Sequence, residues 1–387
     1  MVSSAISLAG TPAVAETQTS KQPVAQGKIK PYGWIVNPWF DVLFVSGGML
    51  WLAFALHLTV FGWNPMDRAA TVPNAFVVGT FLMMMTILTQ HLFADTHTVA
   101  TYMRIYATPE SRKTFRLYAY YLPWLSVTLF ALACVFKEAA GMVVYIHLMW
   151  VFQHYVGQCF GISLVYCFKR GYFLTRKETE IFRWFMHSIS YAVITRILCY
   201  REFSPYQYWD VAVPFWGLPT WLNDIGMFFF YTMSLLFLGV IAKKWHREGK
   251  MIPVMALGQI GTVLAIGWSV GMASSMIWTY GPGMFHGSQY LAVSLGFYIK
   301  EKGLQEGMLP KEVFKNWFTP RGLKYWAYVV VAGMFIYVFV PHFMMYFGLT
   351  FGFVATIIQA CVNFHHFVSD AAIWRLRDPK CREVLVA

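Results

Sequence analysis

Runs of about twenty apolar residues recur along the whole of this chain, and few architectures can absorb that pattern. Within a bilayer no water is available to a backbone N–H or C=O, so each must be bonded internally, and a helix of about 20 apolar residues does this while crossing the hydrocarbon. Only 12% of the residues are charged, roughly half the share a soluble domain carries. The expected fold class is therefore all-α: a polytopic integral membrane helix bundle of about ten transmembrane helices. The spans are expected at 41–62, 75–103, 117–136, 141–168, 183–200, 225–242, 252–275, 279–300, 325–346 and 349–374.

The basic residues give a second reading of the same order. Lys and Arg in short connections stay on the cytoplasmic side. With ten spans, 26 of the 30 fall on one side, in six groups that begin with Lys21, Lys28 and Lys30 and end with Arg375, Arg377, Lys380 and Arg382. Arg68, Lys137 and Arg201 fall on the other side, and Arg196 lies within the fifth span. Both ends are then cytoplasmic, and the net charge of +12 follows from this bias and from attraction to anionic headgroups, with no nucleic acid required. The expected location is the bacterial inner membrane or a membrane derived from it, with the lipid bilayer as the first partner.

Residues 1–34 are too polar to fold alone and are expected to be a disordered cytoplasmic tail; 35–387 are expected to form a single transmembrane domain with a short cytoplasmic C-terminal tail. The six cysteines include no CxxC pair and read as small core residues.

Ionisable groups inside a bilayer are expensive, which makes each one a candidate for function. Depth can be reckoned from the first basic residue beyond each inward-running helix at about 1.5 Å per residue. His91 lies about 20 Å before Arg104, His154 about 22 Å before Lys169 and His286 about 21 Å before Lys300. His365 and His366 lie about 14–15 Å before Arg375, and Asp95 about 14 Å before Arg104. Spans two, four, eight and ten thus deliver histidine to one slab of a core about 30 Å thick. His97 and His187 come out nearer the inner face, His57, His147 and His342 nearer the outer one, and His246 in a basic loop; these read as interfacial or hydrogen-bonded histidines. His91 and Asp95, His154 and Gln158, His286 and Tyr290, and His366 and Asp370 are each four residues apart, one turn along one helix face. A metal-bound imidazole commonly donates its other N–H to such a neighbour.

The pattern admits non-haem metal ligation, a b-type haem on two of the histidines, a proton or ion path, or interhelical hydrogen bonds alone. The slab holds no Glu, no ExxH pair and no thiolate cluster, which argues against a di-iron carboxylate site and a cysteine zinc site. Imidazole suits iron, copper and zinc, and a site walled by Met, Phe, Trp and Tyr suits a greasy substrate and O₂. The Met-rich run FLMMMTIL just before His91 is placed to shape such a pocket. The HxxxH and HxxHH boxes of membrane desaturases and hydroxylases are missing; the one HH pair stands in NFHHFVSD.

The segments QHLFADTH, MFHGSQY and NFHHFVSDAAIWRLRDP resemble the histidine motifs of the Brp/Blh family, polytopic membrane β-carotene 15,15′-dioxygenases that use histidine-bound iron. The family's His-x3-Asp element is matched by His91 and Asp95, and its His-x4-Asp element with a basic end by His365, Asp370 and Arg375. Its His-x3-His element is not matched, since Tyr290 follows His286. The matches cover about forty residues. The resemblance implies a membrane-embedded iron (Fe²⁺) oxygenase acting on a lipophilic isoprenoid, carotenoid or lipid. His91, His154, His286 and His365 would be the ligands; Asp95, Gln158 and Asp370 would orient imidazoles; Tyr290 or His366 would be a further ligand or donor near O₂. The alternatives from other classes are a non-catalytic haem- or pigment-binding subunit of a larger membrane complex, and a transporter with a buried proton relay.

Overall fold

The computed structural model describes residues 33–61, 80, 84, 87–269, 281–302, 312–376 and 378–386. The tail expected over 1–34 lies outside these except for residues 33 and 34, as do most of the Met-rich run before His91 and the end of the span expected at 252–275.

The described chain is almost wholly helical. The helices that matter below are α1 (Gly48–Phe61), α2 (Asp95–Ile105), α3 (Leu122–Val135), α4 (Lys137–Lys169), α5 (Arg176–Cys199), α6 (Trp221–Glu248), α7 (Val254–Ser269), α8 (Ser288–Glu301), α9 (Pro320–Met334), α10 (Phe351–Ile373) and α11 (Pro379–Val386). Among the described residues the only sheet is one antiparallel pair of two-residue strands, β1 (Gln207–Tyr208) and β2 (Val211–Ala212), pairing Gln207 with Ala212.

Helix ends follow local chemistry. Thr175 and Glu178 form a capping box at the start of α5, satisfying two backbone N–H groups that would otherwise be orphaned. Thr350 caps α10 through the Phe353 N–H. α6 stops at Gly249, where φ is +64°, a left-handed conformation glycine adopts without steric cost.

Four helical stretches are long and apolar enough to cross a membrane: Leu117–Val135, Trp221–Glu248, Pro320–Phe347 and Phe351–Ile373. A fifth arises if Pro38–Val45 and Gly48–Leu56, bent by 58° about Ser46 and Gly47, form one span. α6 turns Phe228, Leu235 and Leu238 outward, a ridge of apolar surface that water would penalise and lipid would not. The chain is accordingly a helical membrane protein. Arg196, the one basic residue expected inside a span, donates to the Gly267 carbonyl at 2.9 Å and lies over the Phe203 ring at 4.6 Å.

The two largest apolar clusters among the described residues hold most of the helices together. One joins α4, α5, α6 and α7, with Phe237 stacked on Phe182 and Phe185 at 4.7 and 4.6 Å between ring centroids. The other joins α2, α8 and α9 through Val99, Leu295, Tyr325 and Val329. π-helical turns at Gln90–Ala94 and Pro282–Gly287 lead into α2 and α8. These turns meet backbone to backbone at Gly287, where a Cβ would lie 2.5 Å from the Phe93 carbonyl oxygen. Glycine is required there for the approach itself.

Candidate metal centre

Four imidazoles close a ring between the two cores. His97 comes from α2, His154 from α4, His286 from the π turn before α8 and His366 from α10. Centroid separations around the ring are 4.7 Å (His97–His286), 4.9 Å (His286–His154), 4.7 Å (His154–His366) and 4.6 Å (His366–His97). Each plane stands at 70–85° to the next, an edge-to-face arrangement all the way round. Ligand atoms of His97, His286 and His366 lie within 4.8 Å of one another, and so do those of His154, His366 and Asp370.

Outward-facing nitrogens decide what the inward ones can do. His97 Nδ1–H donates to the Ala94 carbonyl, which leaves Nε2 as a bare lone pair. His366 Nδ1 is 2.6 Å from Thr101 Oγ1, which also lies 2.7 Å from the Tyr290 hydroxyl and 3.1 Å from Asp370 Oδ1. Tyr290 donates to Asp370 Oδ1 at 2.8 Å and accepts from Trp374 Nε1–H at 2.9 Å. If Thr101 gives its proton to Tyr290 or Asp370, it accepts from His366 Nδ1–H, and His366 Nε2 is likewise a lone pair.

The inner nitrogens fit a cation. His154 Nε2 and His366 Nε2 are buried without a hydrogen-bond partner; their nearest carboxylate oxygen, Asp370 Oδ2, is 3.8 and 3.5 Å away. A buried polar atom left unpaired costs about 1–3 kcal/mol. His97 Nε2 and His286 Nε2 are 3.2 Å apart. Two nitrogens each about 2.0–2.1 Å from one ion stand about 2.9–3.4 Å apart, from octahedral to tetrahedral geometry. Either His286 donates a proton across that gap or the two lone pairs share a cation.

Of the residues predicted from sequence, His154, His286, His366, Tyr290 and Asp370 come together. Gln158 sits beside them, its Nε2 donating to the His286 backbone carbonyl at 3.1 Å and to Gln289 Oε1 at 2.5 Å. His91 and His365 are in neither group of ligand atoms. His91 pairs with Asp95 at 2.8 Å and is 35% exposed, while Gln90 Nε2 donates to the other Asp95 oxygen at 2.8 Å. His365 points toward a different neighbour: its Nε2–H donates to the Tyr118 carbonyl at 2.7 Å and its ring stacks on Tyr102 at 4.9 Å. His97 and Thr101 are the members sequence reasoning missed. Both stand on the helix that follows Asp95, and His97 closes the very segment QHLFADTH; the depth scale, about 10 Å from Arg104, set it aside.

Two cavities touch the ring. A small one of about 20 Å³, lined by Asp95, His97, His286, Tyr337 and Asn363 among others, has room for one water. A large one of about 380 Å³ has His154, Tyr290 and Asp370 in its wall and is otherwise bounded mainly by Trp150, Phe297, Phe367, Trp374 and glycines of α4 and α8. Comparison with family models, with curated proteins and with solved structures finds no match to this chain.

Proposed function

We propose that this chain is a ten-span protein of the bacterial inner membrane, both ends cytoplasmic, whose four-histidine ring holds iron and oxidises a lipophilic substrate with O₂. The observation that carries the reading is the pair of buried, unpartnered Nε2 atoms of His154 and His366, set in a ring of four imidazoles beside a largely apolar cavity. A mainly nitrogen ligand set suits divalent iron with open positions. When bound, iron supplies the O₂ chemistry that side chains lack. Asp370 and Tyr290 hold a proton between them at the cavity wall, and the aromatic lining keeps water from the reacting atoms. The Brp/Blh resemblance makes carotenoid cleavage the most specific form of this reading.

Packing counts against a b-type haem. A macrocycle held between two of these histidines needs a flat slot, and the remaining imidazoles and Asp370 fill the space. Metal analysis and an absorption spectrum of protein purified without oxygen test the proposal. The expected result is close to one iron per chain, no Soret band, and O₂ uptake on adding lipid substrate. Protein with neither metal nor chromophore, and with His154→Ala and His366→Ala folding like the parent, overturns it.

A further inference from the structure

The large cavity has two chemically different ends. Tyr290 and Asp370 mark the ring end, and Lys300 stands ten residues further along α8, about 15 Å of helix away. Across the cavity α4 runs from His154 to Val165 over a similar length, about 16 Å. Gly157 and Gly161 lie on that face, and a Cβ at either would meet nothing within 4 Å. The cavity is thus long and narrow, with glycine making room for its occupant. Among the described lining residues Lys300 is the one cation and Asp370 the one carboxylate.

The far end is the polar one. Lys300 Nζ donates to the Val384 carbonyl of α11 at 3.1 Å, so its ammonium is held at the cavity floor formed by Val384 and Leu385. Arg104, paired with Glu301 at 3.4 Å, lies 3.8 Å over Phe297 and 5.3 Å over Trp374, on rings that wall the cavity. An anionic head at this end would meet the Lys300 ammonium, which a headless hydrocarbon could not pair with.

We propose that the cavity takes a single-chain amphiphile with an anionic head, carboxylate or phosphate, the head on Lys300 and the chain lying along α4 and α8 to the histidine ring. This rests on the proposed function only for what happens at the ring end, and there it puts an anionic lipid in place of a carotene; binding is a separate property of Lys300 and the cavity walls.

The test measures equilibrium binding of radiolabelled palmitate, hexadecyl phosphate, hexadecanol and β-carotene to the full chain in nanodiscs of neutral phosphatidylcholine. One equivalent of palmitate or hexadecyl phosphate should bind, and hexadecanol and β-carotene at least about tenfold more weakly. Palmitate preferred over hexadecyl phosphate assigns a carboxylate head, and the reverse a phosphate. Lys300→Gln should weaken the acid by about tenfold or more while leaving hexadecanol unchanged, and Lys300→Arg should retain it. Gly161→Leu, which fills the cavity without touching Lys300, should abolish binding of all four. Hexadecanol or β-carotene binding as well as the anions, indifference to Lys300→Gln or Gly161→Leu, or no binding at all overturns the proposal. His97→Ala, at a ring residue outside the cavity wall, separates the two readings: it should lose iron yet keep palmitate. Iron-free parent protein that still binds palmitate through Lys300 would sink the oxygenase and leave this inference standing.

Discussion

His97 Nε2 and His286 Nε2 lie 3.2 Å apart, on helices whose backbones touch ten residues or fewer away, where Gly287 meets Phe93 and Ala94. The closeness of the two nitrogens follows from the closeness of the two chains. Gly287→Ala puts a methyl 2.5 Å from the Phe93 oxygen and forces the π turns apart. We expect a loss of about 1–3 kcal/mol in stability together with loss of metal, read by thermal unfolding in detergent and by iron content. Retention of full iron with only a lowered unfolding temperature would show that the ring does not depend on this contact.

Each of His97, His154, His286 and His366 changed to Ala should cut iron content by more than the 10–100-fold that loss of a supporting hydrogen bond costs. His91→Ala and His365→Ala should leave most of it, because these rings serve Asp95 and the Tyr118 carbonyl instead. Elemental analysis of the six variants decides the matter. Equal losses at His91 and His97 would refute the ring as drawn.

Thr101 ties His366, Tyr290 and Asp370 into one network through a single hydroxyl. Thr101→Val keeps the shape and removes the acceptor that sets the His366 tautomer. Iron affinity should fall about 10–100-fold while the helix content holds, measured by competition with a chelator and by circular dichroism.

Outside the spans, burial lowers the Lys169 ammonium from its usual 10.5 to about 8, against the opposing pull of Asp41. Between about pH 8 and 10.5 the unfolded chain therefore holds a proton that the folded chain has released, and stability rises with pH across that window, by up to about 1.4 kcal/mol per unit. Below about pH 8 both states are charged and this contribution is flat. Unfolding midpoints at pH 7, 8 and 9.5 should show the rise, and Lys169→Met should flatten it. A parent protein no more stable at pH 9.5 than at pH 7, or a variant with the same rise, would contradict the assignment.

Much of this was legible in the sequence, and the limits have physical causes. Apolar runs mark helices because a bilayer leaves the backbone no alternative, so α3, α4, α6, α9 and α10 fall close to their expected places. Counting residues back from the basic loops selects His154, His286 and His366 from eleven histidines, but it selects His91 and His365 with them, and these stand outside both groups of ligand atoms. Rotation about the helix was not legible. His365 and His366 share a depth and differ by about 100° in direction, and nothing in the sequence says which one faces inward. His97 was missed for the complementary reason: a side chain can reach across the roughly 3 Å by which its depth from Arg104 falls short of that of His366 from Arg375. The π turns that precede His97 and contain His286 carry no sequence signature at all.

Those turns have one further consequence. A π turn houses one residue more than the α-helix would, and removing it would let the helix heal into regular geometry with every backbone bond intact. Yet each side chain beyond the repair would swing by about 100° relative to the part before it. A one-residue deletion in Gln90–Ala94 or Pro282–Gly287 would thus be silent to any probe of secondary structure and ruinous to the meeting of the imidazoles. Length, and not composition alone, is the quantity these two short stretches must conserve.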